Sequence, residues 1–292
     1  MCSVIRHILP DDIPAAMELS MAANWNQTPR DWRRIIQLSS SGCRCIEDGG
    51  KIAATATLLP YAASLAWIGM VLTRPECRRQ GLARQLMEDV IAIAQRRGVR
   101  TLKLDATDDG RPLYESLGFI VEKPVERWAR DRKSAPSIAE PDAHNIADAN
   151  RFDATHFRDS LFVEDAIAFG AVRKDLLKML LQSGPCTATP KGYVLSRPGK
   201  IARHLGPCIA GSELEAEALI DTHLAIDSYS NRDPAPERTS WYWDLLADNL
   251  PAVDCARRHG FTRRRTLWRM RRGESIENND AMVYAIAGFE MG

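Results

Sequence analysis

Residues 67 to 85, WIGMVLTRPECRRQGLARQ, constrain the fold more than any other stretch. Trp67 to Thr73 are apolar and β-branched and predict a strand. Pro75 cannot extend a sheet ladder, so the strand ends there. After Arg78, Arg79, Gln80 and Gly81, the residues Leu82, Leu86, Val90 and Ala94 recur at a spacing of four, with Met87, Ile91 and Ile93 beside them. That period predicts an amphipathic helix, which Gly98 closes. The start of such a helix attracts anions, because its first N–H groups lack intrahelical partners and the dipole is positive there. Gly81 has no Cβ, Ala83 is small, and Arg78, Arg79 and Arg84 add charge around the same spot. A pyrophosphate fits such a place. The competing reading is an ordinary strand–turn–helix with solvated arginines.

The stretch PECRRQGLARQL resembles the acyl-CoA-binding motif of the GNAT superfamily of N-acyltransferases, in which Arg or Gln is followed at fixed spacing by Gly and then Gly or Ala. The motif falls on residues 78 to 83, and the similarity extends over about residues 3 to 130. The resemblance implies that backbone groups of Met70, Val71 and Thr73 receive the pantetheine arm and the acyl carbonyl. It also implies that Arg78, Arg79, Gln80, Gly81, Leu82, Ala83 and Arg84 surround the phosphates. A tyrosine four residues before a Gly-Phe pair often protonates the leaving thiolate in that family, and Tyr114 stands there before Gly118-Phe119. Its alternative is a packing role.

Upstream, a short strand is expected at residues 3 to 6, and a helix from Pro10–Asp12 to about Ala22. Thr28 and Pro29 read as N-cap and first residue of a second helix. Between and within these helices lie Trp25, Asn26, Gln27 and Trp32; with Trp67, they are the candidate acceptor-pocket wall, since the resembled family lines its acceptor side with its first two helices. Core packing is the alternative for the tryptophans. Residues 43 to 49 and 51 to 58 read as a hairpin about Gly49-Gly50. A strand from Val99 to Asp105, a short helix opened by Pro112 and a strand over 119 to 128 complete this half. The central strand carries no carboxylate, so the general base stays open between Asp105 and a water relay.

Residues 131 to 144 are polar and contain prolines, predicting a linker between a domain at 1 to 130 and another at 145 to 292. The second half repeats the first: LGPCIAGSELEAEALI follows the shape of the Ile68 stretch, and RRHGFTRRRTLW that of YESLGFIVEKPVERW. In place of Arg78, Arg79 and Gly81 it has Glu213, Glu215 and Glu217, and Ala256 stands four residues before Gly260. It resembles the degenerate acetyltransferase-like domain that follows an active GNAT domain in some bacterial proteins, including its AIAGFEMG end. Arg263 to Arg265, with Arg269, Arg271 and Arg272, read as a solvated strand face, or else as contacts to an anionic substrate group.

The fold class is therefore α/β (α+β): two tandem GNAT-type domains, each a mixed, mostly antiparallel twisted sheet flanked by helices. A net charge of +1 gives no basic field for nucleic acid, and no apolar run reaches the length of a membrane span. Seven scattered cysteines suit thiols in a reducing cytoplasm and, without clustered histidines, no metal. The resemblance implies an acetyl-CoA-dependent N-acetyltransferase acting by direct transfer to a small-molecule amine, as a monomer or homodimer. A non-catalytic acyl-CoA sensor and a protein or peptide acetyltransferase are the alternatives.

Overall fold

The structure is a computed structural model that describes residues 4–62, 64–131, 159–230 and 240–292. The linker expected at 131 to 144, apart from Asp131, and the start of the second domain at 145 lie outside the described residues. The chain forms two compact units: residues 1–122 with 268–276 and 289–292, and residues 123–267 with 277–288. The first unit thus includes two stretches from late in the sequence, which the sequence reading assigns to the second domain.

In chain order the strands are β1 (Val4–His7), β2 (Cys43–Asp48), β3 (Lys51–Tyr61), β4 (Leu65–Thr73), β5 (Thr101–Ala106), β6 (Ile120–Arg130), β7 (Cys186–Ala188), β8 (Tyr193–Arg197), β9 (Arg203–Ile209), β10 (Trp241–Leu246), β11 (Thr262–Gly273) and β12 (Val283–Ala285). The helices are α1 (Ile13–Ala22), α2 (Pro29–Leu38), α3 (Leu82–Arg96), α4 (Arg111–Ser116), α5 (Asp159–Phe169), α6 (Lys174–Leu181), α7 (Glu213–Ser230) and α8 (Leu250–Arg258). None of the described helices is long and apolar enough to cross a membrane.

In the first unit the sheet runs β1-β2-β3-β4-β5, and residues Trp268–Gly273 of β11 pair antiparallel with β5. Only β4 and β5 pair in parallel; the other ladders are antiparallel. Strand alternation sets the two faces. Ala66, Ile68, Leu102, Leu104 and Met270 are buried with α3's Leu86, Met87 and Val90 and with Tyr114 of α4. Burying each large aliphatic side chain of that stripe contributes about 1.5–3 kcal/mol. The opposite face carries Cys43, Thr57, Gly69 and Trp67. α2 lies on this side, where the Cys43 thiol donates to the Ile35 carbonyl at 3.7 Å. α2 begins as its sequence dictates: Thr28 caps it, the Thr28 hydroxyl accepting from Asp31 N and Asp31 accepting back from Thr28 N at 2.8 Å.

The second unit has the order β6-β10-β9-β8-β7, with β12 on β9. Here too one pair is parallel, β9 with β10. Its core holds buried ion pairs, Arg127 with Asp244 and Arg173 with Asp165. The buried residues of this unit include the histidines His204 and His223. Burial, reinforced by Arg197 at His204 and by Arg203 at His223, lowers both imidazoles to about 3. Both are therefore neutral in the fold and bind protons on unfolding. Between about pH 6.5 and 3 the unfolded chain holds more protons, so stability falls as pH falls through that window. The melting temperature should drop between pH 7 and pH 4, and His204→Gln with His223→Gln should flatten that slope relative to the neutral-pH value.

Candidate active site

The parallel pairing of β4 and β5 covers Leu65–Thr101, Ala66–Leu102 and Trp67–Lys103, and then stops. β4 continues to Thr73, still paired to β3 as far as Ala54. From Ile68 to Thr73 its β5-side edge is therefore without a strand partner among the described residues. In the middle of that edge Met70 has φ of 49°, where β4 bulges opposite Ala56. A non-glycine residue rarely adopts this conformation, and a bulge re-aims backbone groups. The Thr55 hydroxyl, donating to the Met70 carbonyl at 2.8 Å, holds the kink. The open edge thus offers strand-like hydrogen bonding to an extended ligand arm.

The edge leads to the start of α3. A single 3-10 turn, Pro75–Cys77, is followed by Arg79 at φ 62° and Gly81 at φ 80°. Gly81 is the N-cap, and no side chain caps the helix. A Cβ built on Gly81 would meet nothing within 4 Å, so the space before these amides is open. Arg78, Arg79, Gln80 and Arg84 are exposed around it, while Leu82 is buried beneath. Arg78 leans on the Thr73 carbonyl, and Arg84 donates to Ser116 Oγ at 2.7 Å. This arrangement fits a diphosphate on a dipole-favoured helix start. Gly81→Val would strain the left-handed position and put methyl groups into the open space; CoA affinity should fall at least about tenfold, measurable by calorimetry.

Tyr114 sits on α4, buried in the α3-side core, with its ring edge-on to Phe119 at 6.2 Å. Gly118, at φ 84°, closes the helix and lets Phe119 N donate back to the Tyr114 carbonyl. Burial pushes the phenol above its usual value, so it keeps its proton at neutral pH. No described residue hydrogen-bonds its hydroxyl.

Of the expected acceptor-side residues, Trp25, Asn26 and Gln27 occupy the connection between α1 and α2. Trp25 is half-buried; Asn26 and Gln27 are buried, and Gln27 Oε1 has no hydrogen-bond partner among the described residues. Trp32 is fully buried and its indole donates to Ser20 Oγ at 3.0 Å, pinning α2 to α1. Trp67 is fully buried too, with its indole N–H donating to the Phe289 carbonyl at 2.9 Å. The two indoles are thus anchored to different neighbours, Ser20 and Phe289.

Two features escape a reading of the sequence. Asp105 ends β5 not as a turn cap but in a two-point pair with Arg269 of β11, at 2.9 and 3.0 Å. Arg269 lies over the Trp67 ring at 4.7 Å. The solvated-face reading of the arginine run is therefore corrected: Arg269 is buried and Arg271 pairs with Glu122, whereas Arg263 is exposed and pairs with Glu126. The second feature is residues 289–291, whose backbone lies against Trp67, Gly69 and Tyr61. The signal for them is a single glutamate in the otherwise apolar, small-residue run AIAGFEMG.

The second unit closes the corresponding places with its own atoms. β9 and β10 pair only from Trp241–Arg203 to Trp243–Leu205, and β12 then pairs with β9 at Cys208 and Ile209. Trp243's indole donates to the Tyr284 carbonyl, and Ile286 N to the Asp244 carbonyl. At the start of α7 the Glu215 carboxylate accepts from Gly211 N at 2.9 Å and from the Thr189 hydroxyl. Arg258 holds Glu213 and Glu217. Glu217, Cys255 and His259 cluster there. His259 bonds the Cys255 carbonyl and Asp221, each at 2.8 Å, so the group is tied up in a helix-terminus network.

Comparison with known proteins agrees with this geometry. Residues 11–119 match the Acetyltransferase (GNAT) family and residues 162–285 an Acetyltransferase (GNAT) domain. The chain is 31% identical over 168 residues to the uncharacterized N-acetyltransferase YitH of Bacillus subtilis, covering 55% of this chain and 56% of that one. It is 32% identical over 115 residues to the [ribosomal protein bS18]-alanine N-acetyltransferase of Escherichia coli, covering 37% of this chain and 74% of that one. A solved Pyrococcus horikoshii structure superposes with a TM-score of 0.82 at 20% identity, covering 99% of this chain and 96% of that one, and so shares the fold. The chain belongs to the GNAT acetyltransferase family, with two GNAT domains in tandem.

Proposed function

We propose that the first unit transfers an acetyl group from acetyl-CoA, the donor its family uses, directly to the amine of a small molecule in a ternary complex. The observation that carries this reading is the contrast between the units. The β4 edge and the α3 start are open in the first unit, whereas the second fills the matching edge with β12 and the matching helix start with Glu215. One active site per chain follows.

The thioester supplies an activated acyl carbon. The backbone of Met70, Val71 and Thr73 orients it along the open edge, with the kink at Met70 turning an N–H toward the carbonyl oxygen as it gains charge. Arg78 to Arg84 hold the diphosphate. Tyr114 donates its proton to the departing sulfur. Trp25, Asn26 and Gln27 wall the acceptor side, and the fully buried Trp32 and Trp67 back it from the core. No step needs a metal, and the reaction suits the cytoplasm, where the donor is made. A polypeptide amine is the second reading, favoured by the match to an enzyme named for a ribosomal protein. Thiol release from acetyl-CoA, read against a panel of amines, amino acids and peptides, tests the proposal. Turnover with small amines is expected. Turnover with peptide N-termini alone would select the second reading, and none above hydrolysis would overturn both.

A further inference from the structure

We propose that the backbone of residues 289–291 forms the inner wall of the first unit's acceptor site and sets its substrate class, admitting small amines and barring a polypeptide from crossing β3 and β4. This deepens the acetyl-transfer reading and rests on it.

Three contacts fix the segment to the face of the sheet opposite α3. The Trp67 indole donates to the Phe289 carbonyl at 2.9 Å, and the Tyr61 hydroxyl to the Met291 carbonyl at 2.7 Å. Between them, a Cβ built on Gly69 would come within 2.5 Å of the Glu290 carbonyl oxygen and 2.9 Å of its Cα, so only glycine admits this approach. All three contacts use the segment's main chain. The register agrees with them. Tyr61 pairs with Leu65, and Leu65, Trp67 and Gly69 alternate along β4, so these residues share one face. Phe289, Glu290 and Met291 are buried there.

The place bears on the acceptor because Gly69 immediately precedes Met70. The kink at Met70 marks where β4 parts from β5, and in the acetyl-transfer reading it receives the acyl group. An extended chain advances about 3.4 Å per residue. A peptide running back along β4 from an amine at Met70 would therefore need the space over Gly69 by its second residue. The Glu290 main chain holds that space.

The run that supplies this wall meets the second unit's sheet at the matching place. Gly206 corresponds to Gly69, as Leu205 does to Ile68, and a Cβ on Gly206 would run into the Ile286 carbonyl oxygen. His204, two residues before its glycine as Trp67 is, has Nε2 3.3 Å from that oxygen. The run AIAGFEMG thus lays a main-chain carbonyl over the same glycine of each sheet. In the second unit it also enters the sheet as β12 and fills the strand edge, whereas residues 289–291 belong to no strand. The first unit keeps its edge open for the donor while its acceptor face is bounded.

The test uses the full chain, acetyl-CoA, the best small amine of the panel and an unblocked tripeptide. Gly69→Ala should push the segment off β4. The ratio of kcat/KM for the tripeptide to that for the small amine should then rise at least about tenfold, chiefly through KM, with CoA affinity within about twofold of wild type. A merely structural role would lower both acceptors together, and an unchanged ratio overturns the proposal. Should Gly69→Ala fail to fold or to bind CoA, Tyr61→Phe decides, since it removes one anchor and adds no atom. It should move the ratio in the same direction by about threefold, and an unmoved ratio overturns the proposal. A wild-type protein that acetylates the tripeptide as readily as the small amine also overturns it, while acetyl transfer stands. No turnover with either acceptor overturns the acetyl-transfer reading and this proposal with it.

Discussion

Tyr114→Phe is expected to lower kcat by about 10²–10³-fold while CoA affinity stays within about twofold. The variant keeps the ring that packs edge-on against Phe119 and removes only the hydroxyl. That hydroxyl has no hydrogen-bond partner among the described residues, so its loss strands no protein group. Burial raises the phenol's pKa, which keeps the proton available at every pH where the protein is used. The sulfur leaving acetyl-CoA then has no acid beside it in the variant. Single-turnover thiol release and CoA titration separate the two effects; an undiminished kcat would assign the proton to water.

Asp105→Ala should destabilise the protein by about 3–5 kcal/mol, because the buried Arg269 would lose its two-point contact with a carboxylate. Both side chains are nearly inaccessible, and the pair is made at two points. Arg269→Met should cost a similar amount by taking the same contact from the buried Asp105. The double variant should recover much of the loss, since an apolar pair of like volume avoids the desolvation of both charges. Chemical denaturation of the three variants measures this. Simple addition of the two single losses would mean that the pair is not coupled.

The sequence predicted the local parts of the fold well wherever local chemistry decides them. Thr28-Pro29 opens α2, Gly49-Gly50 turns the β2–β3 hairpin, and the period of four from Leu82 produces α3. The open, uncapped helix start at Gly81 was legible for the same reason, since helix-start chemistry is written in consecutive residues. The degenerate second copy was legible as carboxylates in place of arginines. What no window of sequence could show is pairing across long separations. Trp268–Gly273 join β5, and Glu290 meets Gly69, more than two hundred residues apart. The arginine run looked solvated because its partners, Asp105 and Glu122, are far away in the chain. The use of β12 as a plug in the second unit was hidden likewise; Val283–Ala285 reads as an ordinary apolar triplet.

Calorimetric titration of CoA into the full chain bears most directly on the claim that one unit is open and the other filled by its own strand and carboxylate. One CoA per chain is expected, with affinity lowered at least about tenfold in Gly81→Val and unchanged in Glu215→Ala. Two equivalents, or a single equivalent whose affinity is the same in Gly81→Val, would contradict it.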